Sequence, residues 1–182
     1  MQHRQVPLDV FVGRAAELAR AAEVVARVET GQPRLVAIEG EPGVGKTALA
    51  RRCLAGVPGL RVLSARADQA EADLDFGLAD QLFRVAGAVP PVLPAGGAGS
   101  AAPSFAVGAR LLEVVSEQQP SGAVAILIDD LQWADRRSAE ALTFMLRRLS
   151  VDPVVAVVVY RGPRDRLGEP PIGQRRLLTG PR

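Results

Sequence analysis

One stretch of the chain decides the fold, and it reads Leu35-Val36-Ala37-Ile38-Glu39, then Gly40-Glu41-Pro42-Gly43-Val44-Gly45-Lys46-Thr47. The apolar run predicts a short buried strand, and the residues after it match the pattern G-x-x-x-x-G-K-[ST]. Three glycines let the backbone curl so that successive N–H groups point at phosphate oxygens. Among 22 lysine and arginine residues, Lys46 is the only lysine, and its compact ammonium suits a phosphate group. The stretch therefore predicts a phosphate-binding loop between a strand and a helix.

The composition is typical of one globular domain with an aliphatic core. The 182 residues are 48% hydrophobic but only 4% aromatic, and the net charge is +2. Arginine occurs in doublets without a long basic run, so we expect no direct DNA binding. The single cysteine, Cys53, cannot form an internal disulfide, and no apolar run approaches the roughly 20 residues of a membrane span. We expect a cytoplasmic protein that does not contact a membrane.

Strand and helix patterns alternate along the chain. Further strands are predicted over residues 60–65, 123–128 and 154–160, and helices over residues 14–29, 46–55, 74–85, 104–118 and 136–149. This alternation predicts an α/β fold whose mostly parallel sheet is covered on both faces. We expect the core to span residues 1–161, with an exposed Gly/Pro/Ala-rich loop at 87–103. We expect residues 162–182 to form an Arg/Pro-rich tail or the truncated end of the core.

An acidic pair follows the apolar run Ile126-Leu127-Ile128. Asp129, at the end of a buried strand, is expected to hold Mg²⁺ together with the Thr47 hydroxyl. Asp130 lies where a second carboxylate can polarise an attacking water. Two aspartates after a strand can also simply begin a turn. The pair is interpreted as part of a nucleotide site because the same chain contains a phosphate-binding loop.

Three further residues near these strands have candidate roles. Arg161 follows the strand over 154–160, where an arginine can contact a γ-phosphate, although a solvent-facing arginine at a strand exit is an equally good interpretation. Asp135 is expected to cap the helix that follows it. Trp133, the only tryptophan, is expected to pack beside the site.

Several motifs occur together in one order: Phe11-Val12-Gly13-Arg14, the loop 40–47, Leu74-Asp75-Phe76-Gly77-Leu78, the string Ile128-Asp129-Asp130-Leu131-Gln132-Trp133-Ala134-Asp135, and Tyr160-Arg161. In this set the chain resembles the ATPase domain of large ATP-binding LuxR-type transcriptional regulators. That domain is a signal-transducing (STAND) P-loop ATPase, similar to the AAA domain of origin-recognition-like proteins. The resemblance covers about residues 8–161.

The resemblance implies a three-layer P-loop NTPase that uses ATP and Mg²⁺. Residues matching the nucleotide-binding positions are Val12, Gly13, Arg14, Gly40, Glu41, Pro42, Gly43, Val44, Gly45, Lys46, Thr47 and Ala48. The first three match the segment on the adenine and ribose side. The catalytic positions are Lys46, Asp130 and Arg161, with Arg161 at the first sensor position. The metal positions are Thr47 and Asp129.

The chain departs from the family after Arg161, because no helical lid, repeat region or DNA-reading helix-turn-helix follows. We therefore expect a truncated member whose C-terminal lid and final part of the sheet are missing, with the last strand partly present around Leu177-Leu178. Its partners would be ATP or ADP, with self-association or the missing C-terminal regulatory domains in addition.

The leading hypothesis is a nucleotide switch with slow hydrolysis. The alternatives are a non-hydrolysing ATP/ADP-binding module or a non-functional fragment, and a small-molecule kinase is disfavoured by the separate acidic strand.

Overall fold

The computed structural model of the chain describes residues 31–91 and 103–161, the isolated positions Ala19, Glu23 and Val28, and the backbone of a strand at 175–179. The strands are β1 (Arg34–Glu39), β2 (Arg61–Arg66), β3 (Val124–Asp129), β4 (Val154–Tyr160) and β5 (Arg175–Thr179). The helices are α1 (Lys46–Ala55), α2 (Gly77–Ala86), α3 (Ser104–Gln118) and α4 (Arg136–Leu146). Short 3₁₀ turns cover Gln69–Glu71, Gln119–Ser121 and Leu131–Trp133. Within the described ranges no helix is both long enough and apolar enough to cross a membrane.

The strands form one parallel sheet in the order β2-β3-β4-β1-β5. Every residue of β3 and β4 is buried, as expected for central strands with both faces covered. β4 lies between β1, which leads into the glycine-rich loop, and β3, which ends at Asp129. Since parallel strands bring their carboxyl ends to the same edge, that edge collects the loop, the acidic pair and Arg161.

Two hydrophobic clusters occupy the two faces of the sheet. On one face, alternate residues of β1, β3 and β4 pack with α1, whose buried apolar side chains are Leu49, Ala50, Cys53 and Leu54. On the other face, the remaining alternate residues of β3 and β4 pack with β2 and with helices α2, α3 and α4. The period of two along each strand distributes its side chains between these clusters, which gives a three-layer α/β/α architecture.

The predicted α/β fold with a parallel sheet is confirmed, and most predicted elements lie within one residue of the observed bounds. The helix expected from residue 74 instead begins at Gly77, because Phe76 has a left-handed φ of 63° and the N–H of Gly77 bonds to the carbonyl of Leu74 in a turn. The helix expected to reach residue 149 ends at Leu146 and continues as a turn. Apart from the isolated positions Ala19, Glu23 and Val28, the helix expected at 14–29 lies outside the described residues, as does most of the loop expected at 87–103.

A fifth strand, Arg175–Thr179, lies in the segment where we expected a tail or the truncated end of the core. It pairs in parallel with β1, from Leu35 opposite Arg175 to Glu39 opposite Thr179. The final strand expected around Leu177-Leu178 is therefore present over five residues and extends the sheet beyond β1.

Candidate functional site

The glycine-rich loop joins the end of β1 to the start of α1. Gly43 and Gly45 have φ values of 78° and 79°, a region that glycine adopts without the steric cost of a Cβ atom. Gly45 immediately precedes α1, and no described side chain caps that helix end. The first N–H groups of α1 are therefore available to an anion, and the helix dipole favours negative charge at the same place.

The Lys46 side chain folds back against this loop and is only 7% exposed. Its ammonium donates to the carbonyl oxygens of Gly40 and Glu41, each at 2.8 Å. Burial lowers the pKa of Lys46, the positive charge of Arg161 lowers it further, and nearby carboxylates oppose both effects without cancelling them. Phosphate oxygens carry more negative charge than carbonyl oxygens, so the ammonium can exchange these two partners for a phosphate group.

The loop helix and the acidic strand meet through one hydrogen bond. The Thr47 hydroxyl donates to Asp129 Oδ1 at 3.0 Å, although the two residues are 82 positions apart. Asp129 is 5% exposed, and its Oδ1 also accepts the backbone N–H of Asp130 at 3.0 Å. Mg²⁺ takes oxygen ligands and usually needs only one or two from the protein, with waters and phosphate oxygens completing the octahedron. A hydroxyl and a buried carboxylate side by side at a phosphate loop fit that requirement.

Asp130 lies at the centre of a second cluster. It has a left-handed backbone with φ of 52° and precedes the 3₁₀ turn Leu131–Trp133. Its Oδ2 accepts from Nε and Nη2 of Arg66 at 3.2 and 3.0 Å, and its Oδ1 accepts from Nε2 of Gln132 at 3.1 Å. Burial raises the pKa of Asp130, but the hydrogen bonds from Gln132 and Arg66 and the charge of Arg161 outweigh burial and hold the pKa below its ordinary value. The carboxylate is therefore ionised at neutral pH.

Arg161 joins the same cluster from the end of β4. Its Nε lies 3.5 Å from Asp130 Oδ1, and its backbone N–H donates to Oε1 of Gln132 at 3.0 Å. The side chain of Arg161 is 45% exposed. The guanidinium therefore lies at the rim of the site, close enough to Lys46 to influence its pKa.

Asp135 connects the acidic segment to the start of α2. As predicted, its side chain caps α4 by accepting the N–H of Ser138 at 2.7 Å. The same carboxylate also accepts the N–H groups of Phe76 at 2.9 Å and Leu78 at 3.3 Å. Trp133 is half-buried against the core beside this connection, as expected of a packing residue. The motifs over 74–78 and 128–135 therefore meet at one buried carboxylate.

The structure brings together the predicted residues Lys46, Thr47, Asp129, Asp130 and Arg161. Glu41 and Pro42 are exposed on the loop, and Ala48 is exposed on the first turn of α1. The predicted base-binding residues Val12, Gly13 and Arg14 lie outside the described residues.

Two residues of the cluster were missed by the sequence analysis. Arg66 is the last residue of the edge strand β2, next to β3. Gln132 belongs to the string from Ile128 to Asp135, but no role was predicted for it. A polar residue at the end of a predicted strand is a candidate site residue. Assigning Arg66 to this site would have required the order of the strands in the sheet, which the sequence does not give.

Known proteins resemble this chain in sequence and in fold. A family profile described as the AAA ATPase domain matches residues 10–159. The chain is 30% identical over 124 residues to ClpC, the ATP-binding subunit of the ATP-dependent Clp protease of Staphylococcus aureus strain USA300. The same ClpC match occurs in strain NCTC 8325. The matched stretch is 68% of this chain but only 13% of ClpC, so the chain spans a small part of that relative.

Two solved structures share the architecture. The structure of Drosophila ORC bound to DNA superposes with a TM-score of 0.62 at 17% identity, covering 93% of this chain and 43% of that chain. The crystal structure of Cdc6p from Pyrobaculum aerophilum gives a TM-score of 0.57 at 13% identity, covering 94% of this chain and 47% of that one. At these identities the likeness concerns the fold.

Proposed function

This chain belongs to the AAA ATPase domain family, and we propose that it is a nucleotide switch that binds ATP with Mg²⁺ and hydrolyses it slowly. The observation that carries the proposal is the 3.0 Å hydrogen bond between Thr47 and Asp129. It joins the phosphate loop to the acidic strand end, which are the two elements that a metal–nucleotide complex needs in contact.

Binding would rest mainly on the loop. The N–H groups of residues 43–47 and the dipole of α1 would hold the β- and γ-phosphates, and Lys46 would exchange its two carbonyl partners for phosphate oxygens. Thr47 and Asp129 would hold Mg²⁺, which when bound neutralises charge on the phosphates. The segment Val12-Gly13-Arg14 is proposed to contact the base and ribose.

Hydrolysis would use the second cluster. A water oxygen attacks the γ-phosphorus, the bond to the β–γ bridging oxygen breaks, and ADP leaves with that oxygen while the water proton ends on inorganic phosphate. Such transition states are loose, so orientation and charge matter more than a strong base. An ionised Asp130 with a lowered pKa is a weak base but a fixed acceptor that can orient the water. Arg161, beside it, would stabilise charge on the transferred group.

A second candidate is a module that binds ATP or ADP without turnover. The observation that favours it is that both carboxylate oxygens of Asp130 already accept hydrogen bonds, Oδ2 from Arg66 and Oδ1 from Gln132. A water molecule would have to compete with these partners. Tight binding without phosphate release would favour this module over the switch.

The test compares wild type with Lys46→Ala and Asp130→Asn. We expect Lys46→Ala to lose nucleotide binding, and Asp130→Asn to bind nucleotide normally while phosphate release falls at least tenfold. Arg147→Ala, a change at an exposed arginine beyond the end of α4, is the control and should behave like wild type. If wild type and both site variants release phosphate at the same background rate, hydrolysis by this chain is excluded. If wild type and Lys46→Ala bind nucleotide with equal affinity, the phosphate loop is not the nucleotide-binding site.

We further propose that the domain works within a LuxR-type transcriptional regulator, where its nucleotide state sets the arrangement of partner regions. The support is the string from Ile128 to Asp135 together with the motif over 74–78, which Asp135 ties together. This chain is not proposed to contact DNA itself, and its partners beyond ATP and ADP would be regulatory domains or further copies of the chain. The neighbouring coding sequence tests this assignment, because it should encode repeats and a helix-turn-helix.

A further inference from the structure

Gln132 uses both ends of its side-chain amide to connect two parts of the site. It lies in the 3₁₀ turn Leu131–Trp133 that follows β3. Its Nε2 donates to Asp130 Oδ1 at 3.1 Å, and its Oε1 accepts the backbone N–H of Arg161 at 3.0 Å. One side chain thus spans from the second acidic residue to the point where the chain leaves β4.

The orientation of this amide is fixed by chemistry. A backbone N–H only donates, so the amide oxygen must face Arg161, and the NH₂ group is then the end that faces Asp130. A flipped amide would place two acceptors together at one end and two donors at the other. Gln132 therefore has one satisfied orientation, which is the one observed.

The other two partners of the Asp130 carboxylate are less constrained than Gln132. The Arg66 side chain is 70% exposed and that of Arg161 is 45% exposed. Exposed ion pairs are screened by solvent and carry the entropy cost of holding long side chains, so they exchange easily. Gln132 is half-buried and anchored within two residues of Asp130, which leaves it as the steady partner of that carboxylate.

We propose that Gln132 is a positioning residue for ATP hydrolysis: it holds the Asp130 carboxylate and the exit of β4 in one fixed arrangement, so that Arg161 and Asp130 face the same reacting group. The role rests on the proposed function. It acts through Asp130 and Arg161, and it requires no contact between Gln132 and the nucleotide. Its loss should therefore reduce turnover and leave nucleotide affinity unchanged.

Two substitutions separate the two bonds. Gln132→Met keeps the length of the side chain and removes both hydrogen bonds. Gln132→Glu keeps an acceptor for the Arg161 N–H but has no donor for Asp130. A matched control is Gln119→Met, because the Nε2 of Gln119 also donates to a carboxylate, Asp152 Oδ1 at 3.0 Å. Both residues precede the strands β3 and β4 and so lie at the amino ends of these strands, away from the edge that carries the site.

We expect kcat to fall about tenfold in both Gln132 variants, with KM and ADP affinity within about twofold of wild type and Gln119→Met unchanged. Amide hydrogen exchange at Arg161 should accelerate in Gln132→Met and stay slow in Gln132→Glu. In an Asp130→Asn background, Gln132→Glu, which keeps the bond to the Arg161 N–H, should change kcat by less than about twofold, since the bond it loses acts through the Asp130 carboxylate.

An equal fall in kcat from Gln132→Glu in the wild-type and Asp130→Asn backgrounds would show a merely structural role and overturn the proposal. Unchanged exchange at Arg161 in Gln132→Met would show that the second bond is not made, and would also overturn it. If wild type turns over ATP no faster than Lys46→Ala, the proposed hydrolysis is wrong and the role of Gln132 falls with it. If wild type hydrolyses ATP and both Gln132 variants do so at the same rate, only the role of Gln132 is wrong.

Discussion

The two halves of the candidate site are built in different ways. The phosphate half comes from one continuous stretch, Gly40–Thr47, and its main groups are backbone N–H donors and one buried ammonium. The carboxylate half gathers Arg66, Asp130, Gln132 and Arg161 from the ends of three strands and one turn. The first half therefore depends on local conformation, and the second depends on how the sheet is ordered.

If the proposed function holds, this difference should separate nucleotide binding from turnover. Changes in the loop should remove nucleotide affinity, whereas changes around Asp130 should alter the rate with affinity preserved. A third element, Asp135, holds the segment that carries Asp130 and Gln132 against α2. Substitutions at Asp135, Lys46 and Arg66 should affect these three elements separately.

The largest effect is expected from Asp135→Ala. Asp135 is 3% exposed and its carboxylate accepts N–H groups from Phe76, Leu78 and Ser138, which would be left without that acceptor. Leaving buried donors unpaired costs about 1–3 kcal/mol each, so we expect the free energy of unfolding to fall by at least about 3 kcal/mol. Urea denaturation measures this loss.

The matched control for that loss is Asp68→Ala. Asp68 also accepts a backbone N–H at the start of a short 3₁₀ turn, from Ala70 at 2.9 Å, but in an exposed position. Its removal should cost no more than about 1 kcal/mol. Similar losses in the two variants would show that Asp135 is an ordinary helix cap without a role in joining α2 to the acidic segment.

The next effect concerns the phosphate half. Lys46→Ala should weaken ATP binding by about 100-fold, which corresponds to about 2.7 kcal/mol and to the loss of charge-assisted hydrogen bonds. Lys46→Arg should be nearly as damaging, because a wide planar guanidinium does not fit where a compact ammonium lies 2.8 Å from two loop carbonyls. Isothermal titration calorimetry gives both affinities, and an arginine variant that binds like wild type would contradict the steric argument.

A smaller effect is expected from Arg66→Ala in the carboxylate half. The Arg66 side chain is 70% exposed, so its ion pair with Asp130 is worth at most about 1 kcal/mol, or about fivefold in rate. Removal frees Asp130 Oδ2 for water, and we expect phosphate release to rise by up to about fivefold with ATP affinity unchanged. Arg84→Ala removes an exposed ion pair with Asp80 on α2 and is the control. A fall in rate would mean that Arg66 supports the reaction.

The smallest effect is a dependence of stability on pH. The pKa of Asp130 is lowered in the folded chain, so its ionised form stabilises the fold above its ordinary value of 3.8 and loses that contribution as pH falls below it. The difference in unfolding free energy between wild type and Asp130→Asn should be constant from pH 5 to 8 and change only below about pH 4. A change centred near neutral pH would contradict a lowered pKa.

Much of the fold was predictable because local patterns and global packing agree. The apolar runs of β1, β3 and β4 occur where strands were predicted, and α1 spans the predicted residues 46–55. The boundary at residue 74 was wrong because a non-glycine residue with positive φ, Phe76, is not favoured by local propensity. It is held by Asp135, which lies 59 positions away.

The candidate site divides in the same way. Lys46 and Thr47 could be assigned from their loop, and Asp129 from the strand before it, but the contact between Thr47 and Asp129 had to be inferred from the expected parallel sheet. Asp130 was proposed as a water-polarising residue without any indication that Arg66 and Gln132 engage it. The Arg66 contact arises because β2 lies beside β3 at the edge of the sheet, whereas Gln132 reaches Asp130 from two residues further along the chain.

The sequence by itself determined the parallel α/β class, the phosphate loop and the identity of the acidic strand, because each is encoded by residues adjacent along the chain. Tertiary structure alone decided which side chains surround Asp130, how Gln132 connects it to β4, and that Asp135 joins two separate motifs. The physical reason is that strand order and side-chain hydrogen bonds depend on residues distant in sequence, whose geometry is set only when both faces of the sheet are packed.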